Sequence, residues 1–545
     1  MSVLKILSNV EKVIFRACLY NNLNNSVLKT IKYKQMKYLI IIFSAILILA
    51  QSCKEAKNET KKPNIIMFLV DDMGWQDCSE PFWTKKTAFN KRYHTPNIER
   101  LASQGMKFTQ AYACAICSPT RVSLMSGMNA ARHRVTNWTL RRGKNSVREP
   151  ETLHIPEWNL NGAQPVDSIE RSVYISPLAQ ILRENGYFTI HSGKAHFGAI
   201  GTPGANPLNM GFDINIAGHA AGAPGSYQGL NNYGNNPDGT PKNTWSVPGL
   251  EKYYGKDINL SDALTKEAIL AMDSSLKTNK PFFLYMAHYA VHMPIQADNR
   301  FIDEYRKEID DEIEAKYASM VAGMDKSLGD LMDYLEKKGL ADNTIILFMS
   351  DNGGLSAVGR GGEPHTHNKP LSSGKGSARE GGIREPMIVK WPGTVKQATV
   401  NNDYLIIEDF FPSILEMANV REYKTVQHVD GKSFVPVLKG KNKSSSDRAL
   451  FWHYPNNWGP TGPGIGASST VRMGDWKLIY YHADRSFELF NLKQDIGETT
   501  NLAKTKPGKL KELAKILSDY LRSINAQMPI DKKTEKVVEW PDEVL

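Results

Sequence analysis

Four short apolar segments, each followed at once by polar residues, constrain the fold of this chain more than any other feature. Continuous apolar runs of this length are typical of strands covered on both faces, as in a parallel sheet. They are residues 65–70 before Asp71-Asp72, 187–190 before His191-Ser192-Gly193-Lys194, 282–287 before His288, and 345–349 before Ser350-Asp351-Asn352. Since ligands bind beyond the carboxyl ends of strands in such sheets, the pattern predicts that the four polar clusters face one crevice.

Helical patterns lie between these runs. Thr95 and Pro96 have the character of an N-cap and a first helical residue, and that helix is expected to run towards Gly105. A second helix, ending at Gly339, is predicted by the spacing of Tyr317, Met320, Val321, Met324, Leu328, Leu331 and Leu335. Strands that alternate with helices predict an α/β fold with a large mixed, mostly parallel sheet sandwiched by helices.

Two further regions have a different character. Residues 201–256 are rich in Gly, Asn and Pro, which predicts a long surface insertion that could form a pocket wall. From about residue 440, segments 471–481 and 486–492 are typical of antiparallel strands, and segment 510–523 of an amphipathic helix. We therefore expect a main domain over 63–440 and a smaller C-terminal α+β subdomain over 441–545.

Composition and charge exclude several classes of protein. With 41% hydrophobic residues and only 5 Cys among 545 residues, the chain is neither disordered nor a disulfide scaffold. The net charge of +10 is concentrated at the N-terminus: residues 1–52 hold 7 of the 67 Lys and Arg but 1 of the 57 Asp and Glu, so the rest carries only +4. Without a cluster of cations and interleaved aromatics, a nucleic-acid partner is not expected.

The N-terminal region contains an apolar run over residues 39–50, preceded by Lys34 and Lys37. A helix needs about 20 residues to span a bilayer, so this run of 12 predicts a signal peptide, with a buried helix as the alternative. Met36 is the expected start, which makes residues 1–52 an over-long start plus signal peptide, and residues 53–62 a polar tether.

Cys53 follows the sequence Ala50-Gln51-Ser52, which resembles a bacterial lipoprotein signal. Lipidation of Cys53 would be the only link of the protein to a membrane, and simple cleavage with secretion remains equally open. Both alternatives predict export to the periplasm, the cell surface or the medium.

The chemistry centres on Cys117-Ser118-Pro119-Thr120-Arg121. Pro119 fits a first helical turn, so Cys117 would lie at a helix N-terminus, which favours an anion, with Arg121 on the same face. Taken alone, the pattern is more typical of a half-buried Cys with an exposed Arg.

This stretch resembles the motif Cys-x-Pro-x-Arg of the formylglycine-dependent (type I) sulfatases in the alkaline phosphatase superfamily. The resemblance continues through segments 64–74, 95–111, 186–198, 281–296, 346–354, 374–393 and 471–503. It implies an alkaline-phosphatase-like fold, a catalytic sulfatase domain over residues 63–440, and conversion of Cys117 to formylglycine (3-oxoalanine) by a maturation enzyme.

The predicted metal site combines Asp71, Asp72, Asp351 and Asn352, which end two different strands. Their hard oxygen donors suit Ca²⁺ or Mg²⁺ better than Zn²⁺. Such residues are often mere turn or capping residues. The resemblance implies that these four and the residue at position 117 form a calcium site, with magnesium left open.

The remaining candidates are Lys194, His196, His292 and Lys375. The resemblance implies that His292 and Lys375 contact the sulfate and the leaving oxygen, and that one of them protonates it. It also implies that Lys194, with Arg121, holds the hydrated aldehyde, and that His196 later takes a proton. Asp351 is the expected base beside the attacking hydroxyl. Ala195 replaces the usual Trp of the family, and His288 is expected to lie behind the site.

The expected substrate is a sulfated carbohydrate, with algal polysaccharides such as ulvan or carrageenan preferred and glycosaminoglycans as the alternative. Residues that could grip sugars are Trp138, Arg141, Arg142, His219, Trp452 and His453. Two other functions remain open: hydrolysis of a phosphate ester within the same superfamily, and non-catalytic glycan binding. Cys78 and Cys114 could pair in an exported protein.

Overall fold

The computed structural model describes residues 62–441 and 447–545. The predicted signal peptide with its apolar run, the expected start at Met36, Cys53 and the tether up to residue 61 lie outside the described residues. Among those that are described, no helix combines the length and the apolar character needed to cross a membrane.

In the described ranges the structure has 18 strands. They are β1 (Asn64–Val70), β2 (Met106–Tyr112), β3 (Leu153–His154), β4 (Ala163–Gln164), β5 (Val173–Tyr174), β6 (Phe188–Gly193), β7 (Ile214–Ile216), β8 (Phe282–Ala287), β9 (Thr344–Ser350), β10 (Arg384–Lys390), β11 (Thr399–Asn401), β12 (Leu405–Ile406), β13 (Ala449–Tyr454), β14 (Ser468–Met473), β15 (Trp476–Tyr481), β16 (Phe487–Asn491), β17 (Ile530–Asp531) and β18 (Lys536–Val537).

Within the described ranges, nine of these strands form one sheet in the order β11-β2-β10-β9-β1-β8-β6-β7, with β12 also beside β2. Strand β10 is antiparallel to both of its neighbours, and the other pairings are parallel. The predicted large, mixed and mostly parallel sheet is therefore confirmed. β6 runs three residues further than its apolar segment, because His191, Ser192 and Gly193 pair with β8.

Helices alternate with these strands along the chain. They are α1 (Ala88–Arg92), α2 (Pro96–Gln104), α3 (Cys117–Ser126), α4 (Ala130–His133), α5 (Leu178–Glu184), α6 (Leu260–Leu276), α7 (Ile302–Glu308), α8 (Glu312–Lys337), α9 (Glu380–Ile383), α10 (Phe410–Met417), α11 (Val435–Leu438) and α12 (Pro507–Ser523). Helices α2, α3, α8 and α12 correspond to helices that the sequence predicts.

Two hydrophobic cores lie on the two faces of the sheet. Side chains of β1 alternate between them: Ile65 and Met67 belong to one core, and Ile66 and Phe68 to the other. Because both faces are covered, every residue of β1 is buried, which is why its sequence after Asn64 is continuously apolar.

The start of helix α2 departs from the sequence prediction. Thr95 is the N-cap residue, but its side chain does not cap the helix and instead bonds the Ser79 hydroxyl at 2.8 Å. Asp325 of α8 supplies the cap, since its carboxylate accepts from the backbone N–H groups of Asn97 and Ile98 at 3.1 and 2.8 Å. A carboxylate from another helix thus satisfies donors that the local sequence leaves open.

The C-terminal region forms an antiparallel sheet in the order β13-β14-β15-β16, with α12 packed on it, as expected. The segment 471–481, predicted as one strand, is two strands joined by a turn at Gly474, which has a φ of +59°. Strand β17 pairs with β3, so the end of the chain returns to the region before β4. The predicted boundary near residue 440 remains a prediction.

The predicted insertion over 201–256 is mostly irregular, with short 3₁₀ helices at Pro203–Ala205, Pro207–Met210, Gly229–Gly234 and Glu251–Tyr253. It is not wholly a surface loop, because β7 adds an edge strand to the main sheet. In the described part of the chain, Cys78 and Cys114 are buried free thiols, so the pairing that the sequence left open is not present.

Candidate active site

Three carboxylates meet where β1 and β9 end. Val70 pairs with Ser350 in the parallel ladder, so Asp71 and Asp351 are the next residues of adjacent strands. Asp72 follows with a φ of +60°, and its backbone N–H donates to Asp351 Oδ1 at 3.3 Å. Oxygens of Asp71, Asp72 and Asp351 lie within 4.8 Å of one another, and all three residues are fully buried. The predicted convergence of the strand ends is therefore present.

The oxygens of this group are suited to a cation. Asp71 Oδ1, Asp72 Oδ2 and Asn352 Oδ1 are buried and accept no hydrogen bond from any described residue. Burial and the neighbouring charge of Asp351 raise the pKa of Asp71 well above its ordinary value. Since carboxylate and amide oxygens are the ligands of hard divalent cations, the predicted residues fit Ca²⁺ or Mg²⁺.

Each carboxylate of the group also faces a cation. Lys194 Nζ lies 2.7 Å from Asp71 Oδ2, and Lys375 Nζ lies 2.6 Å from Asp72 Oδ1. Arg121 Nε and Nη2 both donate to Asp351 Oδ2, at 2.9 and 2.8 Å. These contacts neutralise the carboxylates in a region shielded from water.

Arg121 and Lys194 are completely buried, and neither lines the open cavity described below. Burial by itself would lower the pKa of Arg121, but the carboxylates Asp351 and Asp71 raise it. In this structure the two cations therefore contact carboxylates of the predicted metal site.

Cys117 is the first residue of α3, as predicted from Pro119. All ten residues of α3 are buried, so the helix N-terminus points into the site from within the protein. Burial raises the pKa of the Cys117 thiol, although Lys194 and Lys375 act in the opposite direction. An unmodified thiol here is therefore protonated at neutral pH.

The hydrogen bonds of His196 define its tautomer. Its Nε2 lies 2.9 Å from the carbonyl oxygen of Thr139, which can only accept, so Nε2 carries the proton. Its Nδ1 is left without a partner among the described residues. Gly222 packs on the ring, and a Cβ there would lie 2.4 Å from Cε1. Burial and the charge of Lys194 lower the pKa of His196 well below its ordinary value.

His292 has the opposite tautomer. Its Nδ1 donates to the carbonyl oxygen of Met293 at 2.8 Å, which directs Nε2 towards Asp72 Oδ2 at 3.6 Å. Burial and the charge of Lys375 lower the pKa of His292 to about 3, and Asp72 opposes the shift. His288 lies behind the site, with Nε2 2.9 Å from Ser327 Oγ.

A cavity of about 390 Å³ opens onto these groups. Four of the predicted catalytic residues line it: Cys117, His196, His292 and Lys375. The carboxylates lie deeper, and they reach the cavity lining through their contacts with Lys375 and His292.

The lining also includes residues that sequence reasoning missed. Among them are Trp245 and Trp458, which join the predicted Trp138. Trp245 lies in the insertion over 201–256, which therefore does form a pocket wall, and Trp458 lies between β13 and β14. Their one sequence signal is a large aromatic residue within a polar, Gly- and Pro-rich loop.

Several predicted sugar contacts lie elsewhere. Trp452 is buried and donates to the carbonyl oxygen of Ala113, and His453 is buried against Ser469, so both predictions are wrong. Arg141 and Arg142 are exposed, but neither lines the cavity. His219 is not part of the lining either, although its carbonyl accepts from the His196 N–H at 3.2 Å.

Comparison with known proteins decides the family. The family model Sulfatase matches residues 63–420, which is more than half of the chain. The chain belongs to the sulfatase family. Residues 375–527 also match the model N-sulphoglucosamine sulphohydrolase, C-terminal, which spans the loop of Lys375 and the C-terminal sheet. The protein is thus a sulfuric ester hydrolase with the expected alkaline-phosphatase-like fold.

Two curated relatives and one solved structure illustrate the similarity. A sulfatase of Formosa agariphila is 31% identical, over 91% of this chain and 94% of the relative. N-acetylgalactosamine-6-sulfatase of Mus musculus is 28% identical, over 85% and 80%. The crystal structure of Ps i-CgsB in complex with k-i-k-neocarrahexaose is 26% identical, covers 89% of this chain and 96% of that chain, and has a TM-score of 0.66. These relatives support activity of the sulfatase on sulfated carbohydrates.

Proposed function

We propose that this sulfatase removes sulfate from oligosaccharides of a sulfated algal polysaccharide, with carrageenan-type galactans as the first choice and ulvan as the second. The observation that carries the proposal is the single cavity shared by Cys117, His196, His292 and Lys375 directly above three buried carboxylates. The relative that was solved with k-i-k-neocarrahexaose supports the choice of galactan.

Cys117 is proposed to act as formylglycine, produced by a maturation enzyme, and Asp71, Asp72, Asp351 and Asn352 are proposed to hold calcium together with residue 117. When bound, the ion would withdraw charge from the sulfate oxygens, and the hydrated aldehyde would supply the attacking hydroxyl and a second hydroxyl. The unpartnered oxygens of Asp71, Asp72 and Asn352 support the ion site.

Binding of the sulfate ester depends on charge. Lys375 is 4% exposed at the cavity wall, and the carboxylate of Asp72 raises its pKa, so it carries a proton at neutral pH. Its ammonium group is placed to contact a sulfate oxygen. Arg121 and Lys194 neutralise Asp351 and Asp71, which reduces the repulsion between those carboxylates and an incoming anion.

Departure of the sugar alcohol requires a proton on its oxygen. His292 is proposed to take up a proton on Nε2 as the sulfate anion binds and then to donate that proton to the leaving oxygen, because its Nδ1 is already bonded to the Met293 carbonyl and its ring lines the cavity. The nearby carboxylate of Asp72 stabilises the protonated ring. Asp351 is proposed to accept the proton of the attacking hydroxyl.

Release of sulfate requires a base for the second hydroxyl of residue 117. His196 is proposed for this role, because its Nδ1 has no partner among the described residues while Nε2 is fixed by Thr139. Its lowered pKa keeps the ring neutral and able to accept a proton.

The direct test is maturation followed by turnover. Mass spectrometry of the peptide that contains residue 117 should show the loss expected for conversion of the thiol to the aldehyde. The matured protein should release free sulfate from carrageenan oligosaccharides, and Cys117→Ala should not. Retention of an unmodified thiol in a protein that still releases sulfate would contradict the proposal.

A glycosaminoglycan is the second candidate, favoured by the similarity to N-acetylgalactosamine-6-sulfatases. Sulfated chondroitin oligosaccharides in the same assay separate the two candidates. Export with a signal peptide, with or without a lipid on Cys53, is also a proposal. Labelling with a fatty acid analogue, compared between the full chain and Cys53→Ala, tests the lipid.

A further inference from the structure

Three tryptophans from separate parts of the chain converge on the outer cavity. Trp138 follows α4, Trp245 belongs to the insertion over 201–256, and Trp458 lies between β13 and β14. All three are partly exposed, and apolar side chains such as Met293 and Val358 continue the wall between them. These side chains form an aromatic and apolar wall, here called the tryptophan enclosure, around the part of the cavity that lies outside Cys117, His196, His292 and Lys375.

Buried contacts hold two of these tryptophans in place. Asn137 is completely buried, and its Oδ1 accepts from the backbone N–H of Trp138 at 2.9 Å. Its Nδ2 donates to Tyr454 Oη at 2.8 Å and to the carbonyl oxygen of Asn457, next to Trp458, at 3.3 Å. One side chain thus links the loops that carry Trp138 and Trp458.

Trp458 also packs closely against the loop that carries Lys375. Gly376, directly after Lys375, has a φ of +84°, and a Cβ on it would lie 2.1 Å from Trp458 Cε3. Only glycine allows this approach together with this backbone conformation. The Lys375 ammonium lies 5.9 Å from the centre of the Trp458 ring, so a sulfate held by Lys375 would place its sugar ring beside the indole.

The charge of the tryptophan enclosure, like its shape, restricts which sugars can bind. Of the residues that line it within ranges 62–441 and 447–545, Lys375 alone carries a permanent charge, and that charge is already shared with Asp72 at 2.6 Å. His196 and His292 each have one ring nitrogen bonded to a backbone carbonyl, of Thr139 and Met293, so that nitrogen is not available to a second anionic group. A second anionic group on the bound sugar would lose water without gaining a cation, which is costly.

We infer that the tryptophan enclosure binds the sugar ring that carries the scissile sulfate, and that this ring has no second anionic group. The substrate class is then a neutral hexose or N-acetylhexosamine monosulfate, whose apolar face stacks on Trp458. Sulfated uronic acids and rings with two sulfates are excluded. This inference rests on the proposed sulfatase function, which it makes more specific.

Binding can be tested without turnover. Cys117→Ala is titrated with galactose monosulfate, with a sulfated uronic acid and with a disulfated galactose, while tryptophan fluorescence is followed. Galactose monosulfate, which has no second anionic group, should bind at least about tenfold more tightly than the sulfated uronic acid or the disulfated galactose. Equal or tighter binding of the sulfated uronic acid would overturn the inference.

The role of Trp458 is tested in the matured enzyme. Trp458→Ala should raise KM for galactose monosulfate by about fivefold with kcat retained, and Trp458→Phe should restore most of the affinity because it keeps an aromatic face. Trp476→Ala, on the C-terminal sheet and outside the lining, is the matched control and should leave KM unchanged. An unchanged KM in Trp458→Ala would overturn the assignment.

Failure of the proposed function and failure of the binding inference would give different results. A matured enzyme that releases no sulfate from any ester, while the Cys117→Ala protein still binds galactose monosulfate selectively, would refute the proposed function and leave the binding inference standing. Release of sulfate from sulfated uronic acids at the rate seen with galactose monosulfate would refute the binding inference and leave the proposed function standing.

Discussion

Lys477 Nζ lies 3.0 Å from Glu380 Oε1, and both side chains are completely buried. Lys477 belongs to β15 of the C-terminal sheet, and Glu380 begins α9, a few residues after Lys375. Glu498 accepts a second contact from the same ammonium at 2.9 Å. The C-terminal sheet is thus joined to the loop that carries a proposed sulfate ligand through a buried cation between two carboxylates.

Lys477→Met is expected to destabilise the protein by roughly 3–5 kcal/mol, because it leaves two buried carboxylates without their partner. Lys515→Met removes an exposed pair with Asp519 and should cost at most about 0.5 kcal/mol. Denaturant unfolding of both variants makes the comparison. Equal losses in the two variants would show that the buried cluster contributes little.

Calcium is expected to raise the melting temperature of the protein, since binding to the folded state alone stabilises it by about 2.7 kcal/mol at a hundredfold excess over Kd. Asp351→Asn should abolish this response. Glu304→Gln is the control, because His94, Glu304 and Glu308 form an exposed group of three side chains that could also hold a metal ion. A calcium response that survives Asp351→Asn but disappears in Glu304→Gln would place the ion elsewhere.

Cys117→Ala is expected to lower kcat by at least about a thousandfold without loss of folding, because it removes the proposed nucleophile. Cys78→Ala alters a buried thiol that does not line the cavity, and it should retain activity. Free-sulfate release and circular dichroism measure the two effects. Substantial activity in Cys117→Ala would exclude the proposed nucleophile.

The loss of kcat in His292→Ala should depend on the leaving group of the ester. For a sugar sulfate, loss of the proton donor is expected to reduce kcat by about 10²–10⁴-fold. For a nitrophenyl sulfate the loss should be much smaller, because that alcohol leaves as an anion. His196→Ala serves as the comparison, since its proposed step follows departure of the alcohol and should affect both esters alike. Equal losses on both esters in His292→Ala would assign the proton to another group.

Glu408 should make stability depend on pH. Burial and the neighbouring charge of Asp409 raise the pKa of Glu408 to about 8, while Glu in an unfolded chain titrates near 4.3. The stability that protonation provides is complete below pH 4.3 and is lost as the pH rises to about 8.

Glu408→Gln should therefore gain stability relative to the wild-type protein as the pH rises from 5 to 8, by at least about 1 kcal/mol. Above pH 8 the difference should level off. Denaturant unfolding at each pH measures it, and Glu151→Gln, at an exposed position, is measured alongside as the control for the substitution itself. A constant difference for Glu408→Gln would show that this carboxyl titrates normally.

The carboxylates at the base of the site were predictable, because the position of a residue at the end of a strand in a parallel sheet follows a simple rule. Residues that follow buried apolar runs must emerge at one edge of a parallel sheet, which brings Asp71, Asp72 and Asp351 together. The helix start at Cys117 was predictable from Pro119 for a similarly local reason.

The walls of the site were not predictable in the same way. Trp245 and Trp458 lie in loops without periodicity, and their positions depend on distant contacts such as that of Gly376 with Trp458. Trp452 shows the converse error, because an aromatic residue on a strand of the C-terminal sheet turned inward to the carbonyl of Ala113. Asp325 is a third case, since a cap supplied by another helix leaves no local pattern.

The placement of Trp458 has a consequence for how this chain can be divided. A fragment that stops after the main sheet would keep the carboxylates, Cys117 and Lys375, yet its pocket would lack one aromatic side and the loop of Lys375 would lose its brace from Lys477. The tail is thus part of the enzyme's binding surface, and shortening the protein from that end would be expected to blunt selectivity before it removed the reactive groups.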